Sequence, residues 1–473
     1  MNEDPRESAA HTEHGKYLTA PVPTDRMPQG IPYIVGNEAA ERFSFYGMRT
    51  ILVIFMTHYL LGPERTPAPM DKVTAMIWYH QFLFAVYFFP LLGALISDIF
   101  LGKYRTILIL SVVYCFGHLA LALDHTTLGL GLGLALIAVG SGGIKPCVSA
   151  NVGDQFGTRN QHLLEQVFGS FYFAINAGAF ASTIMTPWLL DKYGPDVAFG
   201  VPGVLMLLAT IVFWLGRYKF VHVPPGGMQF VRDLTRRDSL AAVFRLLPLY
   251  LFTAVFWSLY DQSGSAWVLQ AESMDRHIPF FELDLAHGSI HPISIELDPA
   301  QVQAINPILI MLFIPLFAYV VYPAIEKVFR LTPLRKIGLG FCLASLSFLV
   351  PALIEQRIAA GGTPHIAWQV LAFVIITAAE MMVSVTCLEF SYTQAPKHIK
   401  SLIMSVNMLA VSLGNAFTAA FNEWVQGNPS LKLSGVHYYW AFASLMLLTA
   451  GVFVFYARGY REHVYLQEEI PAS

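Results

Sequence analysis

The sequence predicts an all-α membrane protein with twelve transmembrane helices arranged as two bundles of six. Of its 473 residues, 55% are hydrophobic and only 13% are charged, which is too apolar for an ordinary soluble protein. Twelve apolar segments reach the length of roughly 20 residues that a helix needs to cross a bilayer. A polar stretch containing Pro-Pro-Gly-Gly and several arginines separates the first six segments from the last six.

The predicted elements begin with an N-terminal tail, residues 1–32, whose first 30 residues are polar and expected to be disordered. The tail lacks the apolar core of a cleaved signal peptide, so we expect the first hydrophobic helix to be retained. A first bundle (33–216), a cytoplasmic linker (217–242), a second bundle (243–457) and a C-terminal tail (458–473) follow. The predicted spans are 33–61, 73–98, 104–124, 127–153, 166–190, 197–216, 243–270, 301–325, 334–356, 364–394, 401–426 and 436–457.

The distribution of basic residues predicts the orientation, because loops rich in Lys and Arg resist translocation. With the N-terminus in the cytoplasm, twenty of the 29 Lys and Arg residues fall on the cytoplasmic side and six on the opposite side. We therefore expect a multi-pass protein of the cell membrane with both termini in the cytoplasm. The remaining three, Arg42, Arg49 and Lys145, lie inside predicted spans.

Composition and motifs exclude several classes of function. A net charge of −3 offers no basic surface for nucleic acid. The four cysteines lie in apolar segments without a CxxC pair, so neither a disulfide framework nor a zinc site is predicted. No HExxH, GxSxG or GxxxxGK[ST] pattern occurs, so we expect no enzyme, no nucleotide-driven mechanism, no cofactor and no metal.

The first span carries four charged residues, Glu38, Glu41, Arg42 and Arg49, and at 100° per residue they share one helix face with Tyr46. Charges that face lipid are costly, so this face is expected to line the interior of the protein. An ion cluster that only anchors the helix is the alternative for Glu41 and Arg42. Arg49 lies about halfway across the membrane, where its planar guanidinium suits a carboxylate or phosphate.

Lys145 lies in the cytoplasmic half of the fourth span, at the depth of Glu38, Glu41 and Arg42. Preceding glycines and the following Pro146 predict close packing and a bend. We expect Lys145 to pair with the carboxylates of the first span, the alternative being a lysine that reaches to the interface.

His80 on the second span and Asp261 on the seventh are predicted at equal depth in the outer half of the membrane. An imidazole and a carboxylate there would form a pair that responds to protonation, since histidine titrates near neutral pH. An interfacial histidine bonded to a neighbouring group is the alternative.

Glu380, near the middle of the tenth span, is predicted at the depth of Arg49 but in the other bundle. This polarity suits a zwitterion, with its carboxylate toward Arg49 and its ammonium toward Glu380, the alternative being a direct Arg49–Glu380 salt bridge. Amide and aromatic groups complete the predicted substrate site, although helix packing and interfacial belts use the same residue types. These are Tyr46, Tyr87, Tyr172, Asn176, Trp257, Asn306 and Ser384.

Five segments are similar to those of a known family: EAAERFSFYG at 38–47, GALISDIFLGKYR at 93–105, FYFAINAG at 171–178, FWSLYDQSGSAWVLQ at 256–270 and LEFSYTQAPKHIKS at 388–401. On these segments the chain resembles the proton-dependent oligopeptide transporter (POT) family of the major facilitator superfamily. The resemblance implies the major facilitator fold. It also implies roles for individual side chains.

In that family, the residues that match Glu38, Glu41, Arg42 and Lys145 take part in proton coupling. Those that match Arg49 and Asn176 bind the carboxyl end of the peptide, and the one that matches Glu380 holds its amino end. Residues matching His80 and Asp261 belong to a proton-sensitive outer gate. Two positions depart from the family pattern, with Phe45 where tyrosine is usual and Asn407 where many relatives have tryptophan.

The sequence therefore predicts a symporter of protons with di- and tripeptides that works by alternating access between the two bundles. A proton-coupled carrier of another small anion or zwitterion, such as nitrate, an amino acid or a drug, is one alternative, because fold does not fix function. A peptide receptor without transport is another, and an ion channel is disfavoured because the charges form pairs instead of rings.

Overall fold

The computed structural model describes residues 17–157, 159–234, 236–284, 289–394, 400–431 and 433–460. The first six spans contain α1 (Ile31–Ile54), α2 (Lys72–Ile96), α3 (Lys103–Leu123), α4 (Thr127–Asp154), α5 (Leu164–Tyr193) and α6 (Pro195–Leu215). A short helix, α7 (Gly227–Leu234), follows in the linker. The remaining spans contain α8 (Arg237–Tyr260), α9 (Ala266–Ala271), α10 (Ile305–Leu316), α11 (Tyr322–Glu326), α12 (Pro333–Ala359), α13 (Ala367–Glu380), α14 (Thr386–Thr393), α15 (Lys400–Gly427) and α16 (Val436–Gly459).

These helices confirm the predicted all-α membrane fold, with span bounds that differ from the predicted ones by a few residues. Within the described residues, eleven helical segments are long and apolar enough to cross a membrane. The segment of α1 is not among them, because its charged residues lower its hydropathy. Its interior is nevertheless buried, from Met48 to Ile54 without interruption.

Several spans are broken by short irregular turns. A 3₁₀ turn at Asp261–Gly264 separates α8 from α9, and a π-helical turn at Met381–Val385 follows Glu380 directly. Departures of this kind inside helices frequently mark functional positions, because they redirect side chains and free backbone groups. Both breaks lie at residues that the sequence assigns to function.

A β hairpin that the sequence analysis did not predict lies between α9 and α10. Strands β1 (His277–Asp284) and β2 (Ser289–Glu296) are antiparallel, with His277 opposite Glu296 and Asp284 opposite Ser289. Arg276 pairs with Glu296 at 2.7 Å at its base. We use the term hairpin end for the side of the membrane helices that carries β1 and β2.

The hydrophobic core falls into two large clusters. One joins residues of α1 to α6 between Ile31 and Phe220, with Val268, Leu269 and Ala300 added from the second half of the chain. The other joins residues between Ala242 and Phe453. The main packing pairs within these groups are α3 with α4, α1 with α5, and α12 with α16.

Helix α2 also packs along α15 and so connects the first half of the chain with the second. Within the described residues, four hydrogen bonds cross between these helices, one of them between His80 Nδ1 and Asn415 Oδ1 at 2.7 Å. Gln81 donates to Glu423 at 3.0 Å, Gln426 donates to the Thr74 hydroxyl at 3.0 Å, and the Ser412 hydroxyl donates to the Phe84 carbonyl at 2.8 Å. The two halves are therefore in contact along the part of α2 nearest the hairpin end.

The tail predicted at residues 1–32 is partly ordered. Residues 1–16 lie outside the described residues, as do residues 461–473 of the C-terminal tail. Residues 17–30 were expected to be disordered but form defined contacts. The His222 amide donates to the Leu18 carbonyl at 2.7 Å, and Asn160 donates to the Arg26 carbonyl at 3.2 Å.

Glycines allow close contact between α2 and α4. A Cβ atom on Gly93 would meet the backbone of Gly143, and one on Gly142 would meet the Phe89 side chain and the Val86 carbonyl. Small residues that let helix backbones approach are the common packing device in membranes. This approach brings the α4 segment that carries Lys145 next to α2.

We expect Gly93→Ala to destabilise the protein, because the obstructing atoms of Gly143 belong to the backbone and cannot rotate away. Overpacking typically costs about 1–3 kcal/mol, which should lower the apparent Tm of the purified protein in detergent. Gly200→Ala on α6 is the matched control, because a Cβ there has no atom within 4 Å. Equal changes in Tm for both variants would contradict this packing argument.

Candidate functional site

A central cavity of about 170 Å³ lies between helices of the two halves. Its walls include side chains of α1, α2 and α5 from the first half and of α8, α10 and α13 from the second. Seven of the nine predicted substrate residues line it: Tyr46, Arg49, Tyr87, Asn176, Trp257, Asn306 and Glu380. Arg49 and Glu380, the cation and the anion predicted at equal depth, thus border one chamber.

Tyr172 and Ser384 were predicted in the same site but do not line the cavity. Each lies four residues from a lining residue of its own helical span, Asn176 and Glu380 respectively. Four residues correspond to roughly 6 Å along a helix axis. Because the fifth and tenth spans run in opposite directions, both residues lie beyond the cavity on the side away from the hairpin end, and Tyr172 is 40% exposed there.

Arg49 is held by Asp261 and not by Glu380. Its Nη2 lies 2.6 Å from Asp261 Oδ1, and its Nε donates to the Tyr79 hydroxyl at 2.7 Å. All three side chains are buried. The alternative of a direct Arg49–Glu380 salt bridge is therefore wrong for this conformation. The 3₁₀ turn that begins at Asp261 brings its carboxylate to Arg49, and Gly264 in the same turn leaves space for the Tyr79 hydroxyl.

The sequence interpretation proposed a direct pair between His80 and Asp261. In the structure, His80 bonds to other residues. Its Nδ1 lies 2.7 Å from Asn415 Oδ1, and its Nε2 lies 3.0 Å from the Ser265 hydroxyl. The Asn415 amide then donates to Asp261 Oδ2 at 2.7 Å. Helix α15 therefore places an amide between the imidazole and the carboxylate, because an amide can serve as acceptor for one and donor for the other.

Asn415 is the functional candidate that the sequence analysis missed. It is fully buried and connects α2, α8 and α15 through His80 and Asp261. The signal was an asparagine in the apolar segment AVSLGNAFTAAF, at a depth where polar side chains usually bond to another helix. Without knowledge of helix neighbours, that signal did not identify its partners.

Glu380 accepts a hydrogen bond from Asn306 Nδ2 at 2.9 Å, and the same amide lies 3.1 Å from the Thr377 hydroxyl. Among the residues that the structure describes, no basic side chain forms a salt bridge with Glu380. A carboxylate inside a membrane protein is expensive unless it is paired or protonated. Glu380 therefore offers the central cavity an acceptor for a cationic group.

Glu38, Glu41 and Arg42 form a buried charge cluster on α1, as the sequence predicts. Arg42 Nε lies 2.7 Å from Glu38 Oε1 and 3.3 Å from Glu41 Oε2. The Ser141 hydroxyl on α4 donates to Glu41 Oε1 at 2.7 Å. Two carboxylates thus share one guanidinium, so the cluster has an excess of acidic groups in its buried surroundings.

Lys145 does not pair with these carboxylates in the part of the chain that the structure describes. Its Nζ lies 4.2 Å from the centroid of the Phe45 ring and 4.4 Å from that of the Tyr87 ring. Aromatic faces attract cations, so the two rings replace a carboxylate partner. Because Tyr87 also lines the central cavity, Lys145 contacts a residue of the cavity wall.

Comparisons with known proteins identify the family of the chain. Residues 104–237 and 228–440 match the sequence profile of the POT family (PTR2). Together these two ranges cover more than half of the chain. The chain belongs to the POT family. The crystal structure of the POT family transporter PepTSo superimposes with a TM-score of 0.80 at 36% identity, covering 92% of this chain and 98% of that one.

Two animal proteins show the same relationship. The chain is 36% identical over 392 residues to peptide transporter family 1 of Drosophila melanogaster, covering 73% of this chain and 49% of the relative. It is 37% identical over 412 residues to solute carrier family 15 member 2 of Rattus norvegicus, covering 76% and 53%. The aligned part of the chain thus spans about half the length of these relatives.

We expect Asn415→Ala to destabilise the POT family protein, because Asp261 Oδ2 and His80 Nδ1 each lose a buried partner. Leaving such groups unpaired costs about 1–3 kcal/mol, which should lower the apparent Tm in detergent. Asn428→Ala is the matched control, since Asn428 is exposed and makes a local bond to the Trp424 carbonyl. A control variant that unfolds at the same temperature as Asn415→Ala would argue against the network.

Proposed function

We propose that this protein is a proton-coupled symporter that imports di- and tripeptides by alternating access. The observation that carries the proposal is that Arg49 and Glu380 line the same cavity between the two halves. A peptide with free ends has a carboxylate for the cationic side chain and an ammonium for the acidic one. The names of the similar proteins, peptide transporters and POT transporters, support the same substrate class.

The proposed binding step follows from the partners of each charge. Glu380 has a neutral amide partner and can accept the peptide ammonium without breaking a salt bridge. Arg49 is bonded to Asp261, so binding a peptide carboxylate competes with that salt bridge. Substrate binding would thereby weaken a contact that joins α1 to α8, which links the chemistry of binding to the separation of the halves.

The proposed proton carriers are Glu38 and Glu41. Protonation of either carboxylate would remove one ion pair from Arg42 and change the charge next to Lys145. Lys145 contacts the ring of Tyr87, and Tyr87 lines the central cavity. The proposed change in charge near Lys145 would therefore affect the substrate site through this ring. His80 and Asp261 are proposed to respond to protonation together, through Asn415.

The proposed topology has both termini in the cytoplasm and the hairpin end on the opposite side of the cell membrane. The chain then divides into a tail (1–32), a first bundle (33–216), a linker (217–242), a second bundle (243–457) and a C-terminal tail (458–473). The Lys and Arg distribution supports this orientation. Alternating access would move the two bundles relative to each other about the central cavity.

Nitrate, the anionic alternative, makes use of Arg49 but not of Glu380. A carboxylate that lines the cavity repels an anion, so the geometry favours a substrate with a cationic group. An amino acid retains both charges but is shorter than a dipeptide. Competition among unlabelled nitrate, amino acid and dipeptide separates these substrates in one assay.

The decisive measurement is dipeptide uptake by purified protein in liposomes. We expect accumulation with an inward-directed proton gradient and its loss when a protonophore collapses the gradient. Dipeptide uptake that is equal with and without the proton gradient would refute proton coupling. Peptide binding without any flux would support a receptor instead.

We expect Glu380→Gln to weaken dipeptide binding by roughly 10- to 100-fold, since hydrogen bonds to charged groups contribute about 1.5–3 kcal/mol. The loss should concern the peptide amino end, so an N-acetylated dipeptide should bind wild type and variant alike. Glu389→Gln, an exposed acid in the same span, is the control and should bind like wild type. Unaltered dipeptide affinity in Glu380→Gln would remove the assignment.

A further inference from the structure

A second cavity, of about 300 Å³, lies at the hairpin end. We call it the hairpin-end cavity. It shares no lining residue with the central cavity. Lys72, Val73 and Met76 of α2 form one wall, and the other walls come from the second half of the chain, including α9, α12, α15 and α16. Its volume falls at the lower limit of cavities that hold small organic ligands.

Two polar groups of this cavity are buried beside each other and, within the described residues, make no hydrogen bond of good geometry. Asn422 is 1% exposed and its Nδ2 makes no such bond, and Tyr438 is 7% exposed and its hydroxyl makes none. A buried donor without an acceptor destabilises the fold, because it has lost its hydrogen bonds to water. Since both side chains line the cavity, a molecule with a hydrogen-bond acceptor would satisfy them.

The cavity also holds a carboxylate without a counter-ion. Glu355 Oε2 accepts a hydrogen bond from Gln270 Nε2 at 2.8 Å, and in the described residues no basic side chain forms a salt bridge with it. The Lys72 ammonium at the rim is already engaged, at 2.9 Å from Glu272 and 3.3 Å from the Leu269 carbonyl. The Glu355 carboxylate therefore remains as a negative charge that a cationic ligand could neutralise.

The remaining walls are mostly apolar, with Met76, Leu269, Val425 and Tyr439 among them. Burial of an apolar body against such walls would supply the non-directional part of the affinity. Together, these groups describe a small amphipathic cation: an ammonium for Glu355, an acceptor for Asn422 and Tyr438, and an aromatic or aliphatic body.

The position of the cavity determines what such a molecule would do. One wall belongs to α2 and the others to the second half, and the bonds from Gln81 to Glu423 and from Gln426 to Thr74 join α2 to α15 close by. Separation of the halves at the hairpin end would pull these walls apart. A ligand that binds only the closed arrangement shifts the population toward it.

We propose that the hairpin-end cavity binds small amphipathic cations carrying a hydrogen-bond acceptor, and that the bound molecule inhibits transport by holding the two halves together at this end. The inhibition, though not the binding, rests on the proposed alternating-access transport. The ligand class differs from the proposed substrate, because Lys72, the basic residue among the described lining residues, is already bonded to Glu272.

Phenylalaninamide is a suitable probe, because it has an ammonium, a carbonyl acceptor and an aromatic ring but no carboxylate for Arg49. We expect saturable binding to the purified full chain by titration calorimetry and non-competitive inhibition of dipeptide uptake in liposomes. Glu355→Gln should raise the dissociation constant of the probe at least about tenfold, by the loss of a charge-assisted hydrogen bond. Glu326→Gln, an exposed acid on α11, is the matched control and should bind the probe like wild type.

Ser434→Trp is the second variant, because Ser434 is exposed and lines the cavity, so a large side chain can fill it without disturbing the core. It should abolish probe binding. Competitive inhibition, unchanged binding in both variants, or binding without inhibition in liposomes that transport dipeptide would each overturn the proposal. If no dipeptide is transported at all, the proposed function fails, while calorimetry with the two variants still decides whether the cavity binds cations.

Discussion

The arrangement of the two halves depends on one buried network, in which Arg49 bonds to Asp261 and Asn415 connects Asp261 to His80. Each member would be costly to bury alone, because a charge or amide inside a membrane protein needs a partner. The partners come from α1, α2, the turn after α8, and α15. Burial therefore requires these elements to meet, and the central cavity lies where they leave space beside Arg49.

Charge distribution separates the tasks within the site. The Glu38–Glu41–Arg42 cluster is confined to α1 and its neighbour Ser141, whereas the Arg49 network crosses between the halves. Lys145 contacts the rings of Phe45 and Tyr87 and forms no salt bridge with either group within the described residues. The two charge groups thus differ in reach, since one is local to α1 and α4 and the other joins four elements from both halves.

Much of this was predictable from the sequence, since length and hydropathy define membrane helices and charged residues inside them must face the interior. Arg49 and Glu380 were predicted at equal depth on helix faces that point to the interior. Two such side chains from different bundles are expected to line the same cavity, and they do. The Arg49–Asp261 bond and the role of Asn415 were not predicted, because they depend on which helices are neighbours. The contacts of Lys145 with two aromatic rings were not predicted either, because depth in the membrane does not reveal which side chains surround it. The β hairpin was missed in a segment read only as a connection between spans.

The ordered segment at residues 17–30 has a consequence for how motion in this molecule is observed. Leu18 is tied to the strand-like residues after α6, and Arg26 is tied to Asn160 in the connection between α4 and α5. All of these attachments belong to the first half of the chain. A fluorophore or spin label placed on this segment would travel with that half as a fixed marker, so its separation from a second label on α12 or α16 would report the rocking of one half against the other.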